Sequence, residues 1–460
     1  ILAVLCSSIF AQSDSARPRV GLVLSGGGAK AAAHLPLLRA LDELNIEIDY
    51  IAGTSMGSFM GALYAIGYNA ERIEKIFFTE DWDEIMFHDQ ISRRSLAMHE
   101  KYNDGRFLST FPLRNGKIDL PSGINPGQSL SSTVAHYAWP VNHRDDFSQF
   151  PTPFLCIATD IETGEDVVLE NGFLPDAIVA SMAFPSVVSP VEIDGRLLVD
   201  GGLVRNFPVQ DLKERDVDLV IGVDVSARLY AKDELTTVIR VLEQISSYKG
   251  AISTAEQRSL CDILLTPDIS GYDAGSFYAL DTLYQRGVDA LEKVRPQLEA
   301  LANSQHKYSD SKTKFIPLEN YNPINVRTIQ AQGLEKVSER LFQGSLSLTE
   351  HSSISPAELE KAVDRLYGSQ YFERVNYKFI PDTSGVKLII RVKEKTIDQF
   401  KLGVHYNSDM RAAVLLNTTF RNKIIEGSTF SLNIRLSSNP TISGSYYINS
   451  GWKPGLGLGL

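Results

Sequence analysis

Ser55 lies between two glycines in the segment Gly53-Thr54-Ser55-Met56-Gly57, directly after the apolar run Ile48–Ala52. This G-x-S-x-G pattern is typical of a nucleophile elbow, in which a strand turns sharply into a helix. The flanking glycines remove the Cβ atoms that would collide in the turn, so the serine hydroxyl is exposed at the start of the helix. The helix-forming run Ser58–Gly67 follows. The pattern predicts a nucleophilic serine, but alone it also fits a glycine-rich turn with an inert serine.

A second glycine-rich turn, Ser25-Gly26-Gly27-Gly28-Ala29-Lys30, lies between a predicted strand at Val20–Leu24 and a predicted helix at Ala31–Leu44. Its backbone N–H groups and the helix N-terminus would attract an oxyanion or a phosphate. A dinucleotide-binding loop is the alternative, but Ala31 occupies the place of the third glycine of that motif. No GK[ST] follows either, which argues against a Walker A loop.

A nucleophilic serine needs a base to take its proton. The chain has eight histidines, and none of the late ones lies in a segment with catalytic features. A predicted strand does end at Asp200, which is followed by two glycines. An acid at the end of a strand can reach the crevice in which α/β sheets bind ligands. We therefore predict that Asp200 activates Ser55 directly, and the alternative is a turn aspartate that bonds its own backbone.

Four segments in this order and spacing resemble the patatin-like phospholipase family: Gly26–Lys30, Gly53–Gly57, Ala180–Pro185 and Asp200–Gly202. The chain differs from many members of the family at Ala31, where they carry glycine. The resemblance implies a three-layer α/β domain with a mostly parallel sheet and a Ser-Asp dyad that hydrolyses acyl esters of lipids.

Carried over residue by residue, the resemblance makes Ser55 the nucleophile and Asp200 the base. It implies an oxyanion hole formed by the backbone of Gly26, Gly27, Gly28 and Ala29. Five further residues would support these motifs: Lys30, Gly53, Gly57, Gly201 and Gly202. The expected activity is that of a phospholipase A or a lysophospholipase, with no cofactor and no metal.

The pattern of the chain predicts the elements that position these residues. Apolar runs alternate with helical patterns from Val20 to Ala302, which favours a sheet covered by helices. The later elements are predicted as strands at Leu219–Val225 and Ile263–Leu265 and helices at Leu235–Gln257 and Ala279–Leu301. Residues 82–140 are poorer in strand pattern and are interpreted as a cap facing the substrate or as a surface insertion.

The C-terminal third has a different pattern. After a polar linker at 303–322, residues 323–396 show a β-α-α-β-β order that resembles a POTRA domain, with another small α+β module as the alternative. From 397 to 460 apolar and polar residues alternate, which is typical of the first strands of an outer-membrane β-barrel or of a soluble antiparallel sheet. With the catalytic domain at 17–302, this order resembles the patatin-like proteins of type V secretion, which carry a surface-antigen type barrel.

Composition and the chain ends suggest the compartment. The net charge is −11 and no basic cluster with interleaved aromatics occurs, which argues against nucleic acid as a partner. Residues 1–16 read as the remnant of a signal peptide, and the pattern suggests truncation at both ends. Cys156 and Cys261 are predicted to be buried free thiols. Expected partners are a lipid ester, the bacterial outer membrane and its assembly machinery.

Two questions stay open at the level of sequence. The catalytic domain could face the periplasm or the cell exterior. The second functional hypothesis is an outer-membrane assembly or secretion barrel whose N-terminal domain is mainly a binding module.

Overall fold

The structure is a computed structural model that describes residues 17–88, 95–96, 100–103, 105–114, 116–119, 123–226, 229–307, 323–383, 385–395, 398–407, 411–423 and 425–448. The predicted signal peptide remnant lies outside the described residues. Among the helices of these ranges, none has the length and apolar character needed to cross a membrane.

The N-terminal part alternates strands with helices, in the order β1 (Val20–Leu24), α1 (Leu35–Glu43), β2 (Tyr50–Thr54), α2 (Met56–Ala65) and α3 (Ala70–Thr79). The predicted start of α1 at Ala31 was too early. Residues Gly28–His34 form 3₁₀ turns instead, entered through Gly28 at φ +55°. Pro36 then lies in the first turn of α1, where its missing N–H costs no helical hydrogen bond.

The segment interpreted as a cap or surface insertion contains β3 (Ser109–Arg114), β4 (Lys117–Ile118), β5 (Gly123–Asn125) and α4 (Gln128–Tyr137). After it come β6 (Phe154–Asp160), β7 (Asp166–Leu169), α5 (Leu174–Met182), β8 (Ser186–Val188), β9 (Val191–Ile193) and β10 (Arg196–Asp200). The part ends with α6 (Val209–Lys213), β11 (Leu219–Val223), α7 (Val238–Ser246), α8 (Tyr248–Arg258), β12 (Ile263–Leu265) and α9 (Leu280–His306).

Two predicted helices of this part differ in the structure. The helix expected at Leu235–Gln257 is two helices, because the chain turns at Ser247 between α7 and α8. The turn lets Gly250 of α8 lie against the carbonyl of Gly202, where a Cβ would be only 2.3 Å from the oxygen. Helix α9 continues to His306, inside the predicted linker.

The main sheet has the order β12-β11-β1-β2-β6-β10-β9, with β7 paired to β6. The strands from β12 to β6 pair in parallel, as expected, and β7, β10 and β9 join them antiparallel. The register of the strands brings the C-terminal ends of β2 and β10 close together. Thr54 of β2 lies opposite Ile157 of β6, and Asp200 of β10 lies opposite Ala158 on the other side of β6. Asp200 therefore reaches Ser55 from the end of a strand that is antiparallel to β6.

Both described cysteines are free thiols, and no disulfide joins them. Cys156 is fully buried on β6, and burial raises the pKa of its thiol. Cys261 is partly exposed, although it was predicted to be buried, and partial burial of its thiol raises the pKa to about 12.

A small α+β unit follows, with β13 (Ile324–Gln332), α10 (Glu339–Leu346), β14 (Ser352–Ile354), α11 (Pro356–Gly368), β15 (Phe372–Asp382) and β16 (Gly385–Glu394). The sheet order is β14-β13-β16-β15. Strand β14 was not predicted, because three residues are too few to show a period. Helix α11 begins at a capping box between Ser355 and Glu358.

The last described strands, β17 (Gln399–Asn407), β18 (Arg411–Arg421), β19 (Ser428–Leu436) and β20 (Thr441–Ile448), form an antiparallel meander. One face is apolar and exposed, including Val404 at 59% and Ile442 at 73%. The other face is polar and buried, with Lys401, Asn417 and Thr419. This is the apolar-out, polar-in alternation of transmembrane barrels, and the sheet is open.

The edge of this meander carries an unexpected partner. Strand β3 pairs antiparallel with β17, Phe111 lying opposite Phe400, so the sheet order is β20-β19-β18-β17-β3-β4. Arg421 and Glu100, both buried, add an ion pair between the same two parts of the chain. Residues 82–140 show few strand signals in the sequence, because β3 forms as a strand through its pairing with β17, which lies far away along the chain.

Candidate active site

Ser55 occupies the sharp turn between β2 and α2, with φ 52° and ψ −130°. A non-glycine residue seldom adopts this backbone conformation, which is typical of a nucleophile elbow. The turn is packed too tightly for side chains beside the serine. A Cβ on Gly57 would lie 2.3 Å from the carbonyl oxygen of Leu24, and one on Gly53 would lie 2.7 Å from that of Gly57. The two predicted supporting glycines are therefore required by space.

Ser181 holds the backbone of the elbow. The N–H of Ser55 donates to Ser181 Oγ at 2.9 Å, and the hydroxyl of Ser181 donates to the carbonyl oxygen of Ile157 at 2.6 Å. Ser181 is fully buried near the end of α5. No role was predicted for Ser181, although it lies in the block Ala180–Pro185 that contributed to the family resemblance.

The structure brings Ser55 and Asp200 into direct contact. The hydroxyl of Ser55 donates to Asp200 Oδ2 at 2.6 Å, while Asp200 Oδ1 accepts the N–H of Gly202 at 2.8 Å. Asp200 thus bonds its own turn through Oδ1 and Ser55 through Oδ2, so the two predicted roles of this residue are compatible. Burial raises the pKa of Asp200 to about 6, against the lowering effect of the bonds from Ser55 and Gly202. The carboxylate is ionised at neutral pH and, with this pKa, is a stronger base than an exposed aspartate.

The glycine-rich turn lies beside this pair, and its N–H groups divide into two sets. Gly26 donates to Asn206 Oδ1 at 3.0 Å and Ala29 donates to the carbonyl oxygen of Ala274 at 2.9 Å. This differs from the predicted set of four, since the N–H groups of Gly26 and Ala29 are engaged within the protein. Gly27 and Gly28 are left as the candidate oxyanion donors.

Asn206 fixes the glycine turn from both sides, because its Nδ2 also donates to the carbonyl oxygen of Gly26 at 3.0 Å and to Ser226 Oγ at 2.7 Å. Asn206 was not predicted from the sequence. Its only signal was a polar side chain next to Phe207-Pro208, shortly after Asp200-Gly201-Gly202.

Lys30 is buried below the turn, with 1% of its side chain exposed. Its Nζ pairs with Glu243 Oε1 of α7 at 3.3 Å. The same carboxylate accepts the Tyr230 hydroxyl at 2.7 Å and the N–H of Ala274 at 3.3 Å. The predicted supporting lysine thus ties the glycine turn to α7, and its partner Glu243 was not predicted.

Ser55 and Asp200 open onto a cleft with about 910 Å³ of empty space, part of it continuous with solvent. Gly26, Gly27 and Gly28 line the same cleft. The rest of its wall is largely apolar and includes Met86, Phe87, Met182, Phe184, Leu242 and Phe277. Such a wall suits a hydrocarbon chain, and the polar end suits an ester group.

His34 lies close to the glycine turn in sequence but does not face Ser55. Its Nε2 donates to the carbonyl oxygen of Ser25 at 2.9 Å, and burial lowers its pKa to about 4. The imidazole is therefore neutral and supports the loop. Within the described ranges, no group of three or more His, Cys, Asp or Glu side chains could hold a metal ion.

Family models match three parts of the chain. Residues 22–213 match the family described as patatin-like phospholipase, residues 324–395 match the POTRA family described as surface antigen variable number repeat, and residues 386–459 match the OMP85 superfamily.

Curated relatives match the N-terminal half. An uncharacterized NTE family protein of Mycobacterium tuberculosis is 32% identical over 212 residues, which are 46% of this chain and 50% of that protein. Lysophospholipase NTE1 of Saccharomyces cerevisiae is 27% identical over 208 residues, 45% of this chain and 11% of the yeast protein. The chain thus matches at most about half the length of these relatives.

Two solved structures resemble parts of the chain. BamA from Haemophilus ducreyi lacking POTRA domains 1–3 has a TM-score of 0.26 at 23% identity and covers 30% of this chain and 26% of its own. VipD from Legionella pneumophila has a TM-score of 0.28 at 12% identity and covers 67% and 82%. These TM-scores are too low to support a statement about function.

Proposed function

Because the chain combines a patatin-like phospholipase domain, a POTRA domain and strands of an OMP85-type region, we propose that it is an outer-membrane lipid acyl hydrolase with a Ser55–Asp200 dyad. The observation that carries the proposal is the hydrogen bond of 2.6 Å from Ser55 Oγ to Asp200 Oδ2, made at the polar end of an apolar cleft. A serine that is held by a base and faces an apolar cleft is suited to lipid esters.

In the proposed first half-reaction, Asp200 takes the hydroxyl proton as Ser55 Oγ attacks the ester carbonyl carbon. The carbonyl oxygen becomes an oxyanion that accepts the N–H groups of Gly27 and Gly28. One such donor contributes about 3 to 4 kcal/mol to transition-state stabilisation. The C–O bond of the ester then breaks, Asp200 returns its proton to the departing alcohol, and the acyl group stays on Ser55.

In the second half-reaction, Asp200 accepts a proton from water, which attacks the acyl carbonyl carbon. The same two N–H groups stabilise the second oxyanion. Collapse of this intermediate releases the fatty acid and returns the proton to Ser55 Oγ. Because no imidazole stands between them, one carboxylate performs both proton transfers, and its raised pKa suits it to act as base and then as acid near neutral pH.

The outer-membrane part of the proposal rests on the C-terminal sheet. Its exposed apolar face and its buried polar face have the arrangement of a barrel wall in lipid. The catalytic domain would then work in the periplasm or at the cell surface. Protease treatment of intact cells separates these two locations, because only a surface domain is cleaved without permeabilising the outer membrane.

The test of the activity uses the purified full chain in detergent with phospholipid, lysophospholipid and p-nitrophenyl acyl esters. We expect release of fatty acid that falls to background in Ser55→Ala and in Asp200→Asn. Ser304→Ala and Asp194→Asn are matched controls, since Ser304 lies on α9 and Asp194 in the exposed β9–β10 turn. If Ser55→Ala keeps the activity of the unmodified chain, the hydrolase proposal is wrong and the domain is better described as a binding module.

A further inference from the structure

The POTRA domain shares a hydrophobic core with the catalytic domain. Ala135 and Trp139, which come from α4 and the turn after it, belong to the apolar cluster of the POTRA domain. The ring of Trp139 packs edge-on against Phe379, with ring centroids 5.1 Å apart. Aromatic packing of this kind adds to the energy of burial, so the two domains are held together by more than surface contacts.

Strand β15 is also bonded to α4 by polar groups. Gln128 pairs with the backbone of Val375 twice, accepting its N–H at 2.7 Å and donating to its carbonyl oxygen at 3.0 Å. The hydroxyl of Ser131 donates to Asn376 Oδ1. Gln128, Ser131 and Asn376 are all buried. These bonds fix the register of β15 against the catalytic domain.

The same face of the POTRA domain binds the first turn of α5 through Asp176. Asn376 Nδ2 donates to Asp176 Oδ1 at 2.7 Å. Arg391 on β16 forms an ion pair with Asp176 Oδ2 at 2.7 Å, without the alignment of a hydrogen bond. The guanidinium of Arg391 also stacks over the ring of Phe173, 4.6 Å from its centroid. Asp176 is thus bound by two side chains of the POTRA domain, Asn376 and Arg391.

The other end of α5 holds both residues of the dyad. Ser181 accepts the N–H of Ser55, and the carbonyl oxygen of Ala183, directly after the helix, accepts the N–H of Asp200 at 3.0 Å. Helix α5 has nine residues, so it links the two sites as one short rigid element. A shift at Asp176 would be carried along the helix to Ser181 and Ala183.

We propose that Arg391 and Asn376 are positioning residues of the POTRA domain, which set the placement of Ser55 and Asp200 through α5. This inference rests on the proposed hydrolase function. The POTRA domain would then be a structural part of the active enzyme as well as a link to the C-terminal sheet. Coupling of this kind is expected because small displacements of reacting groups slow catalysis strongly.

The experiment compares the full chain with an Arg391→Ala/Asn376→Ala double variant. Neither substitution changes a residue that lines the cleft. We expect kcat for an acyl ester, and the rate at which a fluorophosphonate labels Ser55, to fall about 3- to 30-fold, with KM nearly unchanged. Arg391→Lys should retain most of the activity, because its ammonium can still pair with Asp176. Arg327→Ala is the matched control, since its ion pair with Asp382 lies within the POTRA domain.

Hydrogen exchange of the peptide that covers residues 51–60 separates this inference from the proposed function. It reports the order of the elbow whether or not the chain hydrolyses esters, and we expect faster exchange in the double variant than in Arg327→Ala. Absence of ester hydrolysis in the unmodified chain would contradict the proposed function alone. Unchanged exchange at the elbow, or kcat within about twofold of the unmodified chain, would overturn the positioning role.

Discussion

The pH dependence of hydrolysis tests whether a buried aspartate is the base. Asp200 must be ionised to accept the proton of Ser55, and its pKa is raised from 3.8 to about 6 by burial. With that pKa, about one-tenth of the molecules carry the ionised form at about pH 5, compared with nearly all at about pH 7.5. An ordinary aspartate would still be more than about nine-tenths ionised at about pH 5.

We therefore expect kcat/KM for an uncharged acyl ester to fall about tenfold between about pH 7.5 and about pH 5, with a limiting slope of one. The assay uses the full chain in detergent, with the product measured at a wavelength where its absorbance does not change with pH. Asp194→Asn serves as control and should show the same profile. Recovery of the rate on return to about pH 7.5 shows that acid has not unfolded the protein. Retention of more than about half of the plateau value at about pH 5 would refute a pKa raised by burial.

Three further predictions concern the dyad and the residues that support it. Asp200→Asn should be inactive, yet at about pH 8 it should be more stable than the unmodified protein by up to about 3 kcal/mol. The reason is that the folded state favours the protonated acid, so the ionised carboxylate lowers the stability above the folded pKa of about 6. The difference should disappear below about pH 3, where both states are protonated, as measured by urea unfolding at the two pH values. Ser181→Ala should lose about 1 to 3 kcal/mol of stability and most of kcat, because the N–H of Ser55 is left without its acceptor; equal melting of Ser181→Ala and Ser304→Ala would contradict this. Gly57→Ala should not give an active folded protein, because its Cβ would lie 2.3 Å from the carbonyl oxygen of Leu24, and a cooperative melt with normal activity would disprove that clash.

Local patterns predicted much of the site. The elbow needs glycines at fixed positions beside Ser55, and Asp200 ends a strand, so both could be found from short segments of sequence. The supports were missed because each one acts through a contact distant along the chain. Ser181 is 126 positions from Ser55, and Glu243 is 213 positions from Lys30. A polar residue within an apolar run gives no sign of the partner that it will meet.

In the fold, too, local patterns were predictable and contacts between distant segments were not. Hydrophobic patterns predicted β1, β2 and the C-terminal meander, because β1 and β2 are almost entirely buried and the meander strands alternate between an apolar and a polar face. It did not predict β3, whose pairing with β17 depends on the completed fold. The predicted boundaries of the domains and of the linker stay predictions, although α9 already extends into the linker range.

The pairing of β3 with β17 has a consequence for the order of assembly. Glu100 and Arg421 are 321 positions apart, and the strands that they accompany can meet only after the catalytic and POTRA segments have been synthesised. Closing so long a loop is entropically costly and slow if the intervening chain is unfolded. Prior folding of the catalytic domain would shorten the effective loop and present β3 as a ready template for β17. The sheet would then grow from an edge supplied by the N-terminal domain, and folding of the N-terminal half would precede folding of the C-terminal one.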